Sequence, residues 1–148
     1  MKILKSQLDD NWMVFTVSIL DESYETHKIL FNNFGIAYAD LENRIIVIDG
    51  EAVLKDRLTP DHMLAIEAHE IGHYVLDHKG VINKSLAEIE KEADFAAFKI
   101  LKEFDKNRAA RLLSERFEGT YDLSIEDYVI KPSQRLKIEN YIHDIKVI

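Results

Sequence analysis

Five residues, His69-Glu70-Ile71-Gly72-His73, constrain the fold more than any other stretch, because their spacing carries meaning only on a helix. Residues four apart on a helix lie one turn above each other on a single face. The flanks signal such a helix. Thr59 suits the N-cap, Pro60 the first helical position and Asp61 the positive end of the dipole. At the other end, His78 and Lys79 suit a last turn and Gly80 a stop. Leu64, Ala68, Ile71 and Val75 form an apolar stripe at helical spacing, while His62, Ile66, His69 and His73 form a second stripe on another face. One side is therefore expected to pack into a core and the other to face something else. Gly72 costs about 1 kcal/mol against alanine inside a helix; close approach of a neighbouring helix is a use for it.

What the histidine face can do follows from its residue types. Two imidazoles one turn apart can reach a single Zn²⁺ at about 2.0–2.1 Å, with the intervening glutamate beside a metal-bound water. Such a water has its pKa lowered towards about 7, within reach of a carboxylate base. His69 and His73 are thus candidate metal ligands and Glu70 a candidate base. A catalytic zinc usually takes three protein ligands and leaves one position open, so a third ligand is expected from another element.

Ser85-Leu86-Ala87-Glu88 reads as a capping box opening a second helix that runs to about Phe104. Its apolar face comprises Leu86, Ile89, Ala93, Ala97, Ile100, Leu101 and Phe104. On the helical wheel Glu90 lies within that face, and Glu88 and Glu92 fall on the opposite, lysine-bearing side. A carboxylate on a buried stripe is expensive unless paired or metal-bound, which makes Glu90 the candidate third ligand. Asp94 follows one turn later on the edge of the same stripe. A metal-bound histidine usually donates its other ring N–H to a carboxylate or carbonyl, and Asp94 is the natural acceptor for His69. Ala93, Ala96 and Ala97 are small enough to let this helix approach the histidine helix.

The pairing of His69-Glu70-Ile71-Gly72-His73 with Glu90-Lys91-Glu92-Ala93-Asp94-Phe95-Ala96 resembles the gluzincin metallopeptidases. More narrowly, it is similar to the branch whose glutamate helix reads Glu-x-x-Ala-Asp, with the CAAX-type and heat-shock membrane proteases and the small soluble minigluzincins. The resemblance implies that Glu90 binds zinc and that Asp94 backs the ligands. The string is also similar to the ImmA/IrrE-type regulatory peptidases, whose motif has Asn where this chain has Asp94. Lys131-Pro132-Ser133, followed by Lys137-Ile138 and Tyr141, looks like a His-Pro-Ser…Arg-Ile segment of the first branch, with Lys131 departing from it.

Other zinc arrangements fit less well. A metzincin needs glycine at position 76 and histidine at 79, where Leu76 and Lys79 stand. Continued on the wheel, His78 points away from His69 and His73 and reads as a helix-end histidine favouring the dipole. His62 shares the ligand face but reads as a cleft or partly exposed residue, because a hydrolase needs an open position. His27 and His143 carry no assigned role. Tyr121, Tyr128, Arg135 and His143 are candidate donors to an oxyanion, with nothing to choose among them.

A chain of 148 residues is expected to form a single domain with a real core. The absence of cysteine excludes disulfides and thiolate metal sites and gives secretion no support; a soluble, cytoplasmic protein is expected. No apolar run reaches transmembrane length. The net charge of −8 disfavours nucleic-acid backbones and anionic lipid as partners. Trp12 to Leu20 reads as a strand, Asp21 to Phe31 as a short helix, and Phe34 to Ala39 with Arg44 to Asp49 as a hairpin. Either hairpin strand could pair with an extended peptide. Helices are expected over Asn107–Phe117 and Ser133 to about Ile145, with a turn at Gly119-Thr120. Strands first and helices after give an α+β fold: a short, mostly antiparallel N-terminal sheet, the histidine helix, the glutamate helix and C-terminal helices; the resemblance implies that this is a small zincin-like domain. The expected function is a zinc-dependent metallopeptidase acting on a peptide or protein. Alternatives are a regulatory zincin-fold protein that cleaves or binds one partner, and a non-hydrolytic zinc-stabilised domain.

Overall fold

The computed structural model describes residues 1–79 and 83–146, and it is α+β, a four-stranded sheet followed by a run of helices. The chain divides into two compact units, Met1–Glu67 and Ala68–Ile148, with the division inside one helix.

In the first unit the sheet has the order β1-β2-β4-β3, built from β1 (Lys2–Lys5), β2 (Met13–Val17), β3 (Ala37–Asp40) and β4 (Ile45–Asp49). β1–β2 and β3–β4 pair antiparallel and β2–β4 parallel, so the sheet is mostly antiparallel. β4 is interior, which leaves β3 as the hairpin strand with an open edge, alongside β1 at the other side of the sheet. β2 is shorter than the apolar run around it. The Asp21 carboxylate accepts from the Ser18 N–H at 2.8 Å and also meets the Met1 ammonium, turning the chain directly after Val17. Helix α1 (Tyr24–Phe34) follows and stops where Gly35 takes φ +95°. Tyr24 and Phe31, seven residues apart and so on one face, are buried with Val17 and Val47 of the sheet, and Phe15, Tyr38 and Ile45 pack around them.

Two elements of this unit were not foreseen, β1 and the short α2 (Gly50–Lys55). The latter is capped by Asp49, whose Oδ1 accepts from the Glu51 N–H at 3.0 Å. Helix α3 (Pro60–Val75) then begins with Thr59 and His62 capping each other. The His62 N–H donates to Thr59 Oγ1 at 3.3 Å, and the Thr59 N–H donates to His62 Nδ1 at 3.2 Å. That is the reciprocal pattern of a capping box, with histidine in place of the usual glutamate. His62 is a helix-start residue.

The second unit holds the rest of α3, then α4 (Leu86–Glu103), α5 (Asn107–Tyr121), a 3₁₀ turn at Ile125–Asp127 and α6 (Pro132–Lys146). Its core gathers Ile71, Ala93, Ala96, Ala97, Ile100, Leu101, Leu113, Phe117, Ile125 and Ile138. α4 packs against both α5 and α6 and is buried at every position from Glu92 to Phe98. Leu86, placed on the apolar face by the wheel, is 73% exposed in the first turn. The axis of this unit is therefore a central helix and not a one-faced one.

Helix ends also differ from expectation. α3 stops at Val75, before the expected His78–Lys79 turn, and Gly80 lies outside the described residues. Asp77 adopts φ 54°, the His78 N–H reaches back to the His73 carbonyl at 3.0 Å, and the Asp77 N–H to that of Tyr74 at 3.1 Å. These two bonds form a Schellman motif with aspartate in the left-handed position. Asp105 ends α4 in the same way, and α5 runs through Gly119 and Thr120 to a left-handed Asp122. No helix among the described residues is long and apolar enough to cross a membrane.

Candidate metal centre

All the side chains of the site lie in the second unit. α3 projects His69 and His73 from successive turns, and α4 brings Glu90 against them. Gly72 makes the approach between the two helices. A Cβ at this position would lie 2.6 Å from the Ala93 carbonyl oxygen, so only glycine fits the backbone contact.

The two Nε2 atoms are 3.1 Å apart; His69 Nε2 lies 2.9 Å from Glu90 Oε2, and His73 Nε2 lies 3.3 Å from Glu90 Oε1. One ligand atom from each of His69, His73 and Glu90 could hold a single metal ion. Tetrahedral zinc with bonds of about 2.0–2.2 Å separates its ligand atoms by about 3.3–3.5 Å. The observed spacings are slightly shorter, so a small outward movement of the three side chains accommodates the ion. The Nδ1 atoms fit as well. His69 Nδ1 lies 2.7 Å from Asp94 Oδ1, an acceptor, so Nδ1 carries a proton, and Nε2, which faces Glu90 and His73, is the atom that would exchange its proton for a metal. Asp94 is itself buried and also accepts from Arg116 Nη2 at 2.6 Å. Arg116, on α5, was not anticipated.

The electrostatics describe a site that draws in positive charge. Burial alone would lower the His69 pKa, but hydrogen bonds to Asp94 and Glu90 reverse this and carry it up to about 10. Burial pushes the Glu90 carboxyl up, yet hydrogen bonds from His69 and His73 outweigh it and hold the group well below the usual range. A proton shared among these atoms and a dication are alternatives at the same point, since both answer the same converging acceptors. Glu70 is buried next to this charge; desolvation raises its pKa, with His69 and His73 opposing.

Three residues, Glu92, Glu90 and His78, lie elsewhere than the wheel puts them. Glu92 is buried, with its side chain 4% exposed, whereas that of Glu90 is 37% exposed. The wheel assumed a single buried face, and α4 is enclosed all round at this point. His78 is buried too, its Nδ1 2.8 Å from His73 Nδ1 and its Nε2 2.9 Å from Glu92 Oε1. Extending the wheel past Val75 sent it to the wrong side, because the Schellman turn folds the chain back over His73. Burial lowers the His78 pKa against the pull of Glu92.

Among the candidate oxyanion donors, the Tyr128 hydroxyl donates to Glu88 Oε1 at 3.0 Å and Arg135 stacks over Phe95 at 5.7 Å. His143 is exposed. Tyr121 packs against Phe117, and its hydroxyl pKa is raised by burial and then by the charges of Asp94 and Glu90. Comparisons with protein-family models, with curated proteins and with solved structures find no match, so the chemistry of this centre has to be argued from its own geometry.

Proposed function

We propose that the chain is a zinc-dependent metallopeptidase of gluzincin type that hydrolyses peptide bonds in a peptide or protein substrate. The observation that carries this reading is the convergence of His69 Nε2, His73 Nε2 and the Glu90 carboxylate at 2.9–3.3 Å, two imidazole nitrogens and one carboxylate around a single point. That donor set is the two-histidine, one-glutamate set of catalytic zinc, and it leaves the fourth position open. Zn²⁺ bound there supplies a Lewis acid that lowers the pKa of a coordinated water towards about 7 and polarises a carbonyl.

The chain's own residues do the rest. His69, His73 and Glu90 would hold the ion, and Asp94 would keep the His69 ring in its Nδ1–H tautomer while Arg116 keeps Asp94 in place. Glu70 takes the proton of the attacking water and returns it to the leaving amine. Its burial favours that role, because a carboxylate shifted upward is a better proton acceptor near neutral pH. The Tyr121 hydroxyl is the candidate donor to the developing oxyanion.

The test is cleavage of a peptide library by the zinc-loaded chain, with and without chelator, beside Glu70→Gln and His69→Ala. Expected are chelator-sensitive cleavage, loss of at least about 100-fold in Glu70→Gln with its zinc retained, and loss of zinc in His69→Ala. Zinc unchanged in His69→Ala would refute the site. Zinc-loaded wild-type protein that cleaves no peptide would refute the peptidase and favour a binding role for the same fold.

A further inference from the structure

Behind His73 runs a buried polar chain that the reaction described above does not use. His73 Nδ1 meets His78 Nδ1 at 2.8 Å, His78 Nε2 meets Glu92 Oε1 at 2.9 Å, and Lys84 Nζ donates to Glu92 Oε2 at 2.7 Å. Gln134, on α6, helps Lys84 and His78 hold the Glu92 carboxyl below its usual range against burial. The side chains of His78 and Glu92 are each 4% exposed. Burying such a chain is costly compared with apolar residues of the same volume, unless every member is satisfied. Here every member is, and the chain leads to one atom, the Nδ1 of His73.

The hydrogen-bonding roles follow one from another. Lys84 can only donate, and Glu92 as a carboxylate can only accept. His78 must therefore present Nε2–H to Glu92, and as a neutral ring its Nδ1 is then a bare acceptor. The 2.8 Å contact is a hydrogen bond only when His73 supplies the proton from its own Nδ1. With a metal in place of any proton on Nε2, His73 then offers its lone pair from that atom, the one that faces His69 and Glu90. We propose that His78, anchored by Glu92 and Lys84, is a positioning residue that fixes the metal-binding tautomer and ring orientation of His73, as Asp94 does for His69. The inference rests on the metal reading of the site. The two ligand histidines are thereby held in different ways. His69 leans on a carboxylate directly, and His73 reaches one through a second imidazole.

The experiment compares wild-type protein with His78→Phe and His78→Gln, measuring zinc affinity by competition with a chromophoric chelator and ring tautomers by ¹⁵N NMR. Phenylalanine keeps the ring volume and removes the acceptor; the glutamine carbonyl can accept from His73 Nδ1–H. His78→Phe is expected to bind zinc about 10–100-fold more weakly, the usual loss when the partner of a ligand is removed. His78→Gln should recover most of that loss, which a purely space-filling role would not produce. In zinc-loaded wild type the protons should sit on His73 Nδ1 and His78 Nε2, a reading that stands even if neither variant folds. Wild-type affinity in His78→Phe, equal weakening in both variants, or the opposite tautomers would overturn the inference while leaving the metal site intact. A wild-type chain that takes up no zinc would overturn both.

Discussion

Replacing Gly72 by alanine tests the packing that brings the two site helices together. The added Cβ would stand 2.6 Å from the Ala93 carbonyl oxygen, while ordinary contact begins at 3.4 Å, so one backbone must retreat by about 0.8 Å. No rotamer can absorb this, because both partners are main chain or Cβ. Overpacking of this kind costs about 1–3 kcal/mol, and the upper part of that range applies where only helix displacement relieves it. Alanine returns about 1 kcal/mol of helix propensity. The net loss is about 2 kcal/mol, or about 4–8 °C in Tm for a chain of this size. Gly72 lies between His69 and His73, and Ala93 is three residues after Glu90, so the same displacement opens the ligand set. Metal sites tolerate about 0.2 Å in their ligand distances, and zinc affinity should fall at least about tenfold. Gly119→Ala is the control, since a Cβ there meets nothing within 4 Å and it lies inside α5. It should raise stability by up to about 1 kcal/mol. Thermal melting and chelator competition on both variants decide the matter. A Gly72→Ala chain that melts higher than wild type and binds zinc equally would refute the reasoning.

Two further substitutions probe α3 before the site. Glu67 is buried with its Oε1 lacking a hydrogen-bond partner among the described residues, and burial raises its pKa against hydrogen bonds from Ser6 and the Gln7 backbone. A folded-state pKa above the unfolded one gives stability that is full below the unfolded value and lost as pH rises through the folded one. Glu67→Gln should therefore match wild type near pH 4 and exceed it by about 1 kcal/mol at pH 7.5, and a Tm difference constant across that range would refute this. His62→Ala removes one half of the cap on α3 and should cost about 0.5–1 kcal/mol in chemical denaturation with zinc affinity unchanged; a loss of zinc would make His62 a ligand instead.

The features legible in the sequence were those encoded by local periodicity. The strand within Trp12 to Leu20, the hairpin before Asp49, the Thr59-Pro60 start and the four-residue spacing of His69 and His73 are each decided within a turn or a strand of themselves, though the strand itself ends at Val17. β1 and α2 escaped because four exposed residues and a six-residue helix carry too little periodicity to register. Glycine marks the expected helix stops at Gly80 and Gly119, but the left-handed positions belong to Asp77, Asp105 and Asp122. Aspartate visits that region more readily than most residues, so a stop search confined to glycine misses it.

The errors at the site share a cause with those stops. A wheel treats a helix as endless and one-faced, and α3 and α4 break both assumptions. The second break had a signal: from Ala93 to Phe98 every residue but Asp94 is apolar, the mark of a helix enclosed on all sides. On such a helix each carboxylate needs a named partner, and Glu92 becomes as much in need of explanation as Glu90. Its partners are His78, set in place by the Asp77 turn, and Lys84. No periodicity could supply Arg116, which reaches Asp94 from α5 by tertiary packing alone. The pairing of the two candidate histidine ligands is therefore readable from spacing, whereas the choice of carboxylate and the residues that back the site depend on where helices end and which of them is central. A search for such centres gains most from locating left-handed aspartates and all-round apolar helix segments before projecting any wheel.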